Sequence, residues 1–253
     1  MLDDLEHILM EKGIRFDRKG NRIRCFPHVV NIAVQRGLRA LGCATKKSDL
    51  NVYDSSETLQ ESRDSQKGPP QDPVAARTLI NKARQSGQRR DDFEQIVADG
   101  IRTNLFGDGV EPRGRQLLRD VDTRWSSTFL MIDRLLSLYP AVQILMNKHD
   151  RDALLSDKQL DVLSDIREFL SIPHAVQELL SSENAPTASL SLPAYTELIE
   201  ILKGAKAKLP RIAHGIQAAI SALEEYMAYT RQTRVYALAM GTSCFLGSLH
   251  DSF

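Results

Sequence analysis

From residue 126 to residue 236 the apolar side chains recur every three or four positions, and that period admits one kind of local structure. Phe129, Ile132, Leu136, Tyr139, Val142 and Leu145 predict a first helix, with Ser126 or Ser127 as its N-cap. Leu160, Leu163, Ile166 and Leu170 predict a second, capped by Ser156 or Asp157 and stopped at Pro173, after which Val176, Leu179 and Leu180 continue in a new direction. Pro193 is placed to begin a third helix with Leu198, Ile199 and Leu202, and Pro210 a fourth with Ile212, Ile216, Ile220, Leu223 and Met227. Amphipathic helices on short connections bury their stripes against one another, so 126–236 reads as an all-α module.

Upstream the pattern is mixed. In residues 1–44, Leu2, Leu5, Ile8 and Leu9 stand at helical spacing, and Gly13 lies where a terminating glycine belongs. Ile14-Arg15-Phe16 and Arg22-Ile23-Arg24-Cys25-Phe26 read as two short extended pieces around a turn. Pro27 separates them from a helix over 28–41, with Val30, Val34, Leu38 and Leu41 on one face. Residues 45–72 shift to Ser, Asp, Glu, Lys and Gln, with Gly68-Pro69-Pro70 near the end, the composition of a disordered polar linker. Residues 73–125 read as an arm, helical from Pro73 to about Ile96 and interrupted near Ser86-Gly87. Residues 237–253 form an atypical tail.

A formal net charge of zero gives no global attraction to nucleic acid, so any such binding has to come from local patches. Two patches are present. Lys12, Arg15, Arg18, Lys19, Arg22, Arg24, Arg36 and Arg39 face only Glu11 and Asp17, and Arg77, Lys82, Arg84, Arg89 and Arg90 meet no acid before Asp91. Phosphate contact and a solvated surface both account for such charge. The cysteines, Cys25, Cys43 and Cys244, are too few for a disulfide scaffold and point to a reducing compartment. No apolar run of membrane-spanning length and no signal-peptide core is seen, so an intracellular soluble protein without membrane contact is expected.

Leu117-Leu118-Arg119-Asp120-Val121-Asp122-Thr123-Arg124-Trp125-Ser126-Ser127-Thr128 holds the single tryptophan. A lone Trp is ordinarily core. The crowd of polar neighbours favours instead a surface ring on which a flat partner such as an extruded base can stack. Cys25-x-x-His28 has ligand spacing for zinc, but no second pair completes a closed site. The serines have no His-and-acid partners that sequence can connect, and no Walker or dinucleotide glycine pattern occurs.

The Trp block resembles the Arg-Trp block of hAT-family transposases, especially fungal ones, which reads roughly D-V-x-T-R-W-x-S-T. Residues 22–35 upstream and 181–195 downstream agree in kind and order, and Ser86-Gly87-Gln88-Arg89-Arg90 with Phe93 matches the fungal arm. The resemblance implies an α+β, predominantly α-helical chain with an incomplete RNase H-like core (1–44) and an all-α insertion domain (126–236). It implies that Trp125 stacks on a flipped base, that Arg124 pairs with a nearby phosphate, and that His28 stands beside the DNA. A local hydrogen-bonding role for His28 is the alternative. With the basic patches added, the expected DNA contacts are Trp125, Arg124, His28, Arg22, Arg24, Arg89 and Arg90.

Complete relatives cut DNA with three carboxylates on two Mg²⁺ or Mn²⁺ ions. None of the three matches a residue of this chain, so no cofactor and no cutting activity are expected. The resemblance also implies a nuclear location, weak or non-specific DNA binding and other hAT transposase chains as partners, while a monomer is expected because the family's dimerising region finds no match. Residues 241–253 do not resemble the corresponding part of the family, as truncation, intron read-through or a frameshift would produce. A helical protein-interaction module, or a relic of a transposable element without function, is the alternative to a DNA-binding protein.

Overall fold

Glycine, serine and proline punctuate the chain where its helices begin and end. The computed structural model describes residues 2–14, 25–42, 72–107, 109, 112, 114–121, 125–180 and 187–230. Along these run α1 (Leu2–Glu11), α2 (Phe26–Ala40), α3 (Asp72–Ala83), α4 (Gly87–Arg102), α5 (Trp125–Ser137), α6 (Tyr139–His149), α7 (Asp157–Leu180), α8 (Thr187–Lys208) and α9 (Ala213–Thr230). Short 3₁₀ turns, Arg151–Ala153 and Pro210–Ile212, precede α7 and α9.

The ends follow local chemistry. Gly13, at φ +71°, closes α1: its N–H donates to the Met10 carbonyl at 3.0 Å and that of Ile14 to Leu9 at 2.9 Å. This is a Schellman end, which needs a left-handed residue. Pro27 sits in the first turn of α2, where a missing N–H costs nothing. Ser86 caps α4 by accepting the Arg89 N–H at 3.2 Å, which explains the interruption expected there. Ser156 and Gln159 form a reciprocal capping box ahead of α7: the Gln159 N–H donates to Ser156 Oγ at 3.4 Å and the Ser156 N–H to Gln159 Oε1 at 3.0 Å.

Three expectations are corrected at prolines. Pro173 does not stop a helix but lies inside α7, and Pro193 does not begin one but lies inside α8. An interior proline loses a backbone hydrogen bond and crowds the carbonyl four residues back, at a cost of about 3 kcal/mol. In α7 burial offsets it, because Leu163, Ile166, Phe169, Leu170 and Pro173 itself all enter the core. The single helix expected over 129–145 is instead α5 and α6, bent by 76°. Pro140, in the first turn of α6, has no N–H for the Leu136 carbonyl, and Leu138 is buried in the corner. Nor is Ser127 an N-cap: it lies inside α5, and its hydroxyl accepts the Val121 N–H at 2.8 Å and donates to the Val121 carbonyl at 3.0 Å.

No strand occurs among the described residues, so the helical part of the expected α+β chain is what they display. The extended pieces expected around 14–16 and 22–26 fall mostly outside them. Phe26 is corrected outright, since it opens α2. The linker expected over 45–72 and the tail over 237–253 also lie outside the described residues, except that Asp72 begins α3.

The buried side chains join into one core running from Phe26 to Tyr226. The largest interface is that of α2 with α9; α9 also packs on α8, and α7 meets α5 and α8. The apolar stripe of α2 (Val30, Ala33, Val34, Leu38) is therefore buried in the helical bundle. Gly37 permits that approach: a Cβ there would stand 2.9 Å from the Gly215 carbonyl oxygen and 3.3 Å from Ala219 Cβ. Ion pairs bridge elements at the rim, Arg36 with Glu225 at 2.7 Å and Arg211 with Asp165 at 2.7 Å. No single described helix is long and apolar enough to cross a membrane.

Candidate nucleic-acid interface

The second basic patch folds into the elbow between α3 and α4, and the segment 114–121 lies across it. This segment has no helix or strand of its own, so its position depends on side chains that reach its backbone. Arg84 Nη1 donates to the Leu117 carbonyl at 2.5 Å and to Gln116 Oε1 at 3.5 Å. Arg134 Nη1 donates to the Gln116 carbonyl at 3.1 Å. Gln116 Nε2 in turn reaches the Arg90 carbonyl at 3.3 Å and Glu94 Oε2 at 3.1 Å. Farther along, Arg77 grips Asp120, Nη2 to Oδ2 at 2.6 Å and Nε to Oδ2 at 2.7 Å, with side-chain exposures of 18% and 8%. Leu117 itself is fully buried. The strap is thus held from several sides: by Arg77 of α3, by Arg84 just past its end, by Arg134 and Ser127 of α5, and through Gln116 to α4.

Those bonds sort the patch. Arg77 is neutralised by Asp120, and Lys82 by Asp150 at 2.8 Å. Arg89 donates through Nη1 to the Lys82 carbonyl at 2.8 Å and to Gln85 Oε1 at 3.1 Å, closing the end of α3. Arg84 meets only neutral acceptors, and among the described residues Arg90 and Arg119 form no ion pair. Burial first, and then the nearby charges of Arg119 and Arg90, push the Arg84 pKa below its ordinary value. Three guanidinium groups, those of Arg84, Arg90 and Arg119, therefore stand near one another at the elbow without an ion pair among the described residues.

Of the residues expected to contact DNA, Trp125, His28, Arg89 and Arg90 fall among the described residues, and they lie on three different helices. Trp125 is 2% exposed, so the surface position expected for its ring is corrected: the indole packs edge-on against His174, with centroids 6.2 Å apart and planes at 82°. The polar neighbours misled because α5 begins at Trp125 itself, which turns the ring inward while Ser127 faces the strap. His28 is exposed in the first turn of α2, whose neighbours are α9, α7 and α5, whereas Arg89 and Arg90 stand on α4, which packs against α6 and α3. Arg124, Arg22 and Arg24 lie outside the described residues. Arg119 and Gln116 were not singled out by sequence; their only signal was position, in or beside the Trp block.

The described acids do not converge on a cation. No group of three or more His, Cys, Asp or Glu residues placed to hold a metal ion occurs among the described residues. Asp120 and Asp150 are each taken by a basic side chain, while Glu94 accepts from the Gln116 amide. Cys25 is exposed at the start of α2.

With that geometry in place, residues 74–178 match the ZBED1 RNase-like helical domain. That domain is of a hAT-related family. The match runs from α3 through α7 and includes the elbow, the strap and Trp125, but not α2, α8 or α9, although these share its core. No curated protein and no solved structure matches the chain.

Proposed function

We propose that this chain is a transposase-derived DNA-binding protein that holds DNA without cutting it. The observation that carries the reading is the basic elbow inside the segment that matches a transposase-related helical domain. Arginine clusters attract the phosphate backbone through charge and counterion release, independent of base sequence, so the binding is non-specific. Cutting is not assigned. Mg²⁺ or Mn²⁺, implied only for complete relatives, requires several oxygen ligands together; Asp120 and Asp150, held by Arg77 and Lys82, do not fit that requirement. A nuclear location and association with related transposase chains belong to the same reading.

Titration of a labelled DNA hairpin at several salt concentrations, with nuclease activity assayed in Mg²⁺ and Mn²⁺, tests this. The expected result is affinity that falls steeply with salt and no cleavage. Affinity independent of salt, or metal-dependent cleavage, would overturn it. A second reading, a helical protein-binding module, is favoured by a cleft of about 440 Å³ lined by Val74, Ala75, Thr78, Leu154, Leu155 and others, at whose edge Val74 is 48% exposed. A folded chain that binds no DNA would favour that second reading.

A further inference from the structure

We propose that Arg84, Arg90 and Arg119 form one phosphate-binding site at the elbow, with the phosphodiester backbone of a nucleic acid as its ligand. The site rests on the DNA-binding reading above and gives it an address.

Gln116 is the organising residue. Its amide oxygen accepts from Arg84 at the end of α3, its amide nitrogen donates to the carbonyl of Arg90 in the first turn of α4, and Arg119 stands three positions along the same strap. One side chain thus ties together three segments, each carrying a guanidinium. Of the acids around them, Asp120 is held by Arg77. Glu94 and Asp92 accept from the neutral amides of Gln116 and Gln88, the latter at 2.8 Å, and Asp91 is exposed on α4, so these three keep their charge, but among the described residues none of them forms an ion pair with Arg84, Arg90 or Arg119.

Like charges held together repel, so such a cluster is retained at a cost unless an anion offsets it. Burial and the neighbouring charges lower the Arg84 pKa, the mark of that cost. The geometry also suits a phosphate. Arg90 stands in the first turn of a sixteen-residue helix, where the backbone dipole adds positive potential. Guanidinium forks bind phosphate oxygens in pairs, and Arg90 and Arg119 are exposed. Arg84 is tied to Leu117 and acts as a positioning residue that also supplies charge.

The test uses the full chain and the variants Arg90→Ala, Arg119→Ala and both together, with Lys206→Ala/Lys208→Ala on α8 as a charge-matched control. Hairpin affinity is measured across a salt series, and thermal melts confirm that each variant folds. The double variant is expected to lose about tenfold in affinity and to lower the salt slope by about two, one for each phosphate contact removed, while the control keeps the wild-type slope. Wild-type affinity and slope in the double variant would overturn the site and leave the DNA-binding reading standing. If the wild-type chain binds no DNA, the reading falls and a nucleic acid falls as the ligand. Sodium pyrophosphate then separates the cases: stabilisation of the wild type but not the double variant keeps the anion site with a free phosphate as its source, and no stabilisation overturns the site too.

Discussion

At the scale of single residues, Trp125 carries the largest consequence. It is 2% exposed and packed on His174, so its truncation removes core volume. Trp125→Ala is expected to destabilise the fold by about 3–5 kcal/mol, read from denaturant unfolding. As the single tryptophan it also reports on itself: wild-type fluorescence should be blue-shifted when folded and move to the red on unfolding. A red-shifted native spectrum with unchanged stability in the alanine variant would restore the ring to the surface. Gly37 is the second such position. Its missing Cβ leaves room for the Gly215 carbonyl, backbone that cannot rotate away, so Gly37→Ala is expected to cost about 1–3 kcal/mol in the same measurement.

Among elements, two ion pairs of different kinds hold α3, one to the strap through Asp120 and one to the end of α6 through Asp150. Arg77 and Asp120 are largely buried, so Arg77→Ala leaves a carboxylate without its cation and is expected to cost on the order of 3 kcal/mol, whereas replacing both by apolar residues of similar size should recover much of it. A double-mutant cycle on thermal stability checks both. Lys82 and Asp150 are more exposed and contribute through pH. The Lys82 hydrogen bond holds the Asp150 carboxyl below its ordinary value of 3.8. A carboxyl with a depressed folded pKa stabilises the native state above its unfolded pKa and loses that contribution as pH falls through the folded one. The melting temperature of Asp150→Asn should therefore lie below wild type at neutral pH, and the gap should close as pH falls below 3.8. A gap that persists in acid would show that the pair matters by shape and not by charge.

For the whole molecule, the decisive contact is α2 on α9. It joins a segment before residue 43 to the last described helix, outside the family match at both ends. A chain beginning at residue 72 exposes the α9 face that α2 covers around Gly215 and Ala219, and is expected to bind a hydrophobic dye and melt at lower temperature than the full chain. A truncated chain as stable as the full one, with no dye bound, would show that the matched region and its neighbours form a core without α2.

Local chemistry alone determined much of this protein. Helix periods, the Gly13 end, the break near Ser86-Gly87 and the Ser156 start were legible because each depends on residues only a few positions apart. The basic patch of the arm was legible as charge, but its use was not. Which arginines hold backbone and which remain without acids depends on Leu117, Gln116, Asp120 and Asp150, distant in sequence from the groups they meet. Only the tertiary structure decided that Pro173 continues a helix, since burial against neighbouring helices outweighs a lost backbone bond. It likewise decided that Trp125 turns inward, because a helix start sets the direction of its side chain whatever the polarity of the residues beside it in sequence.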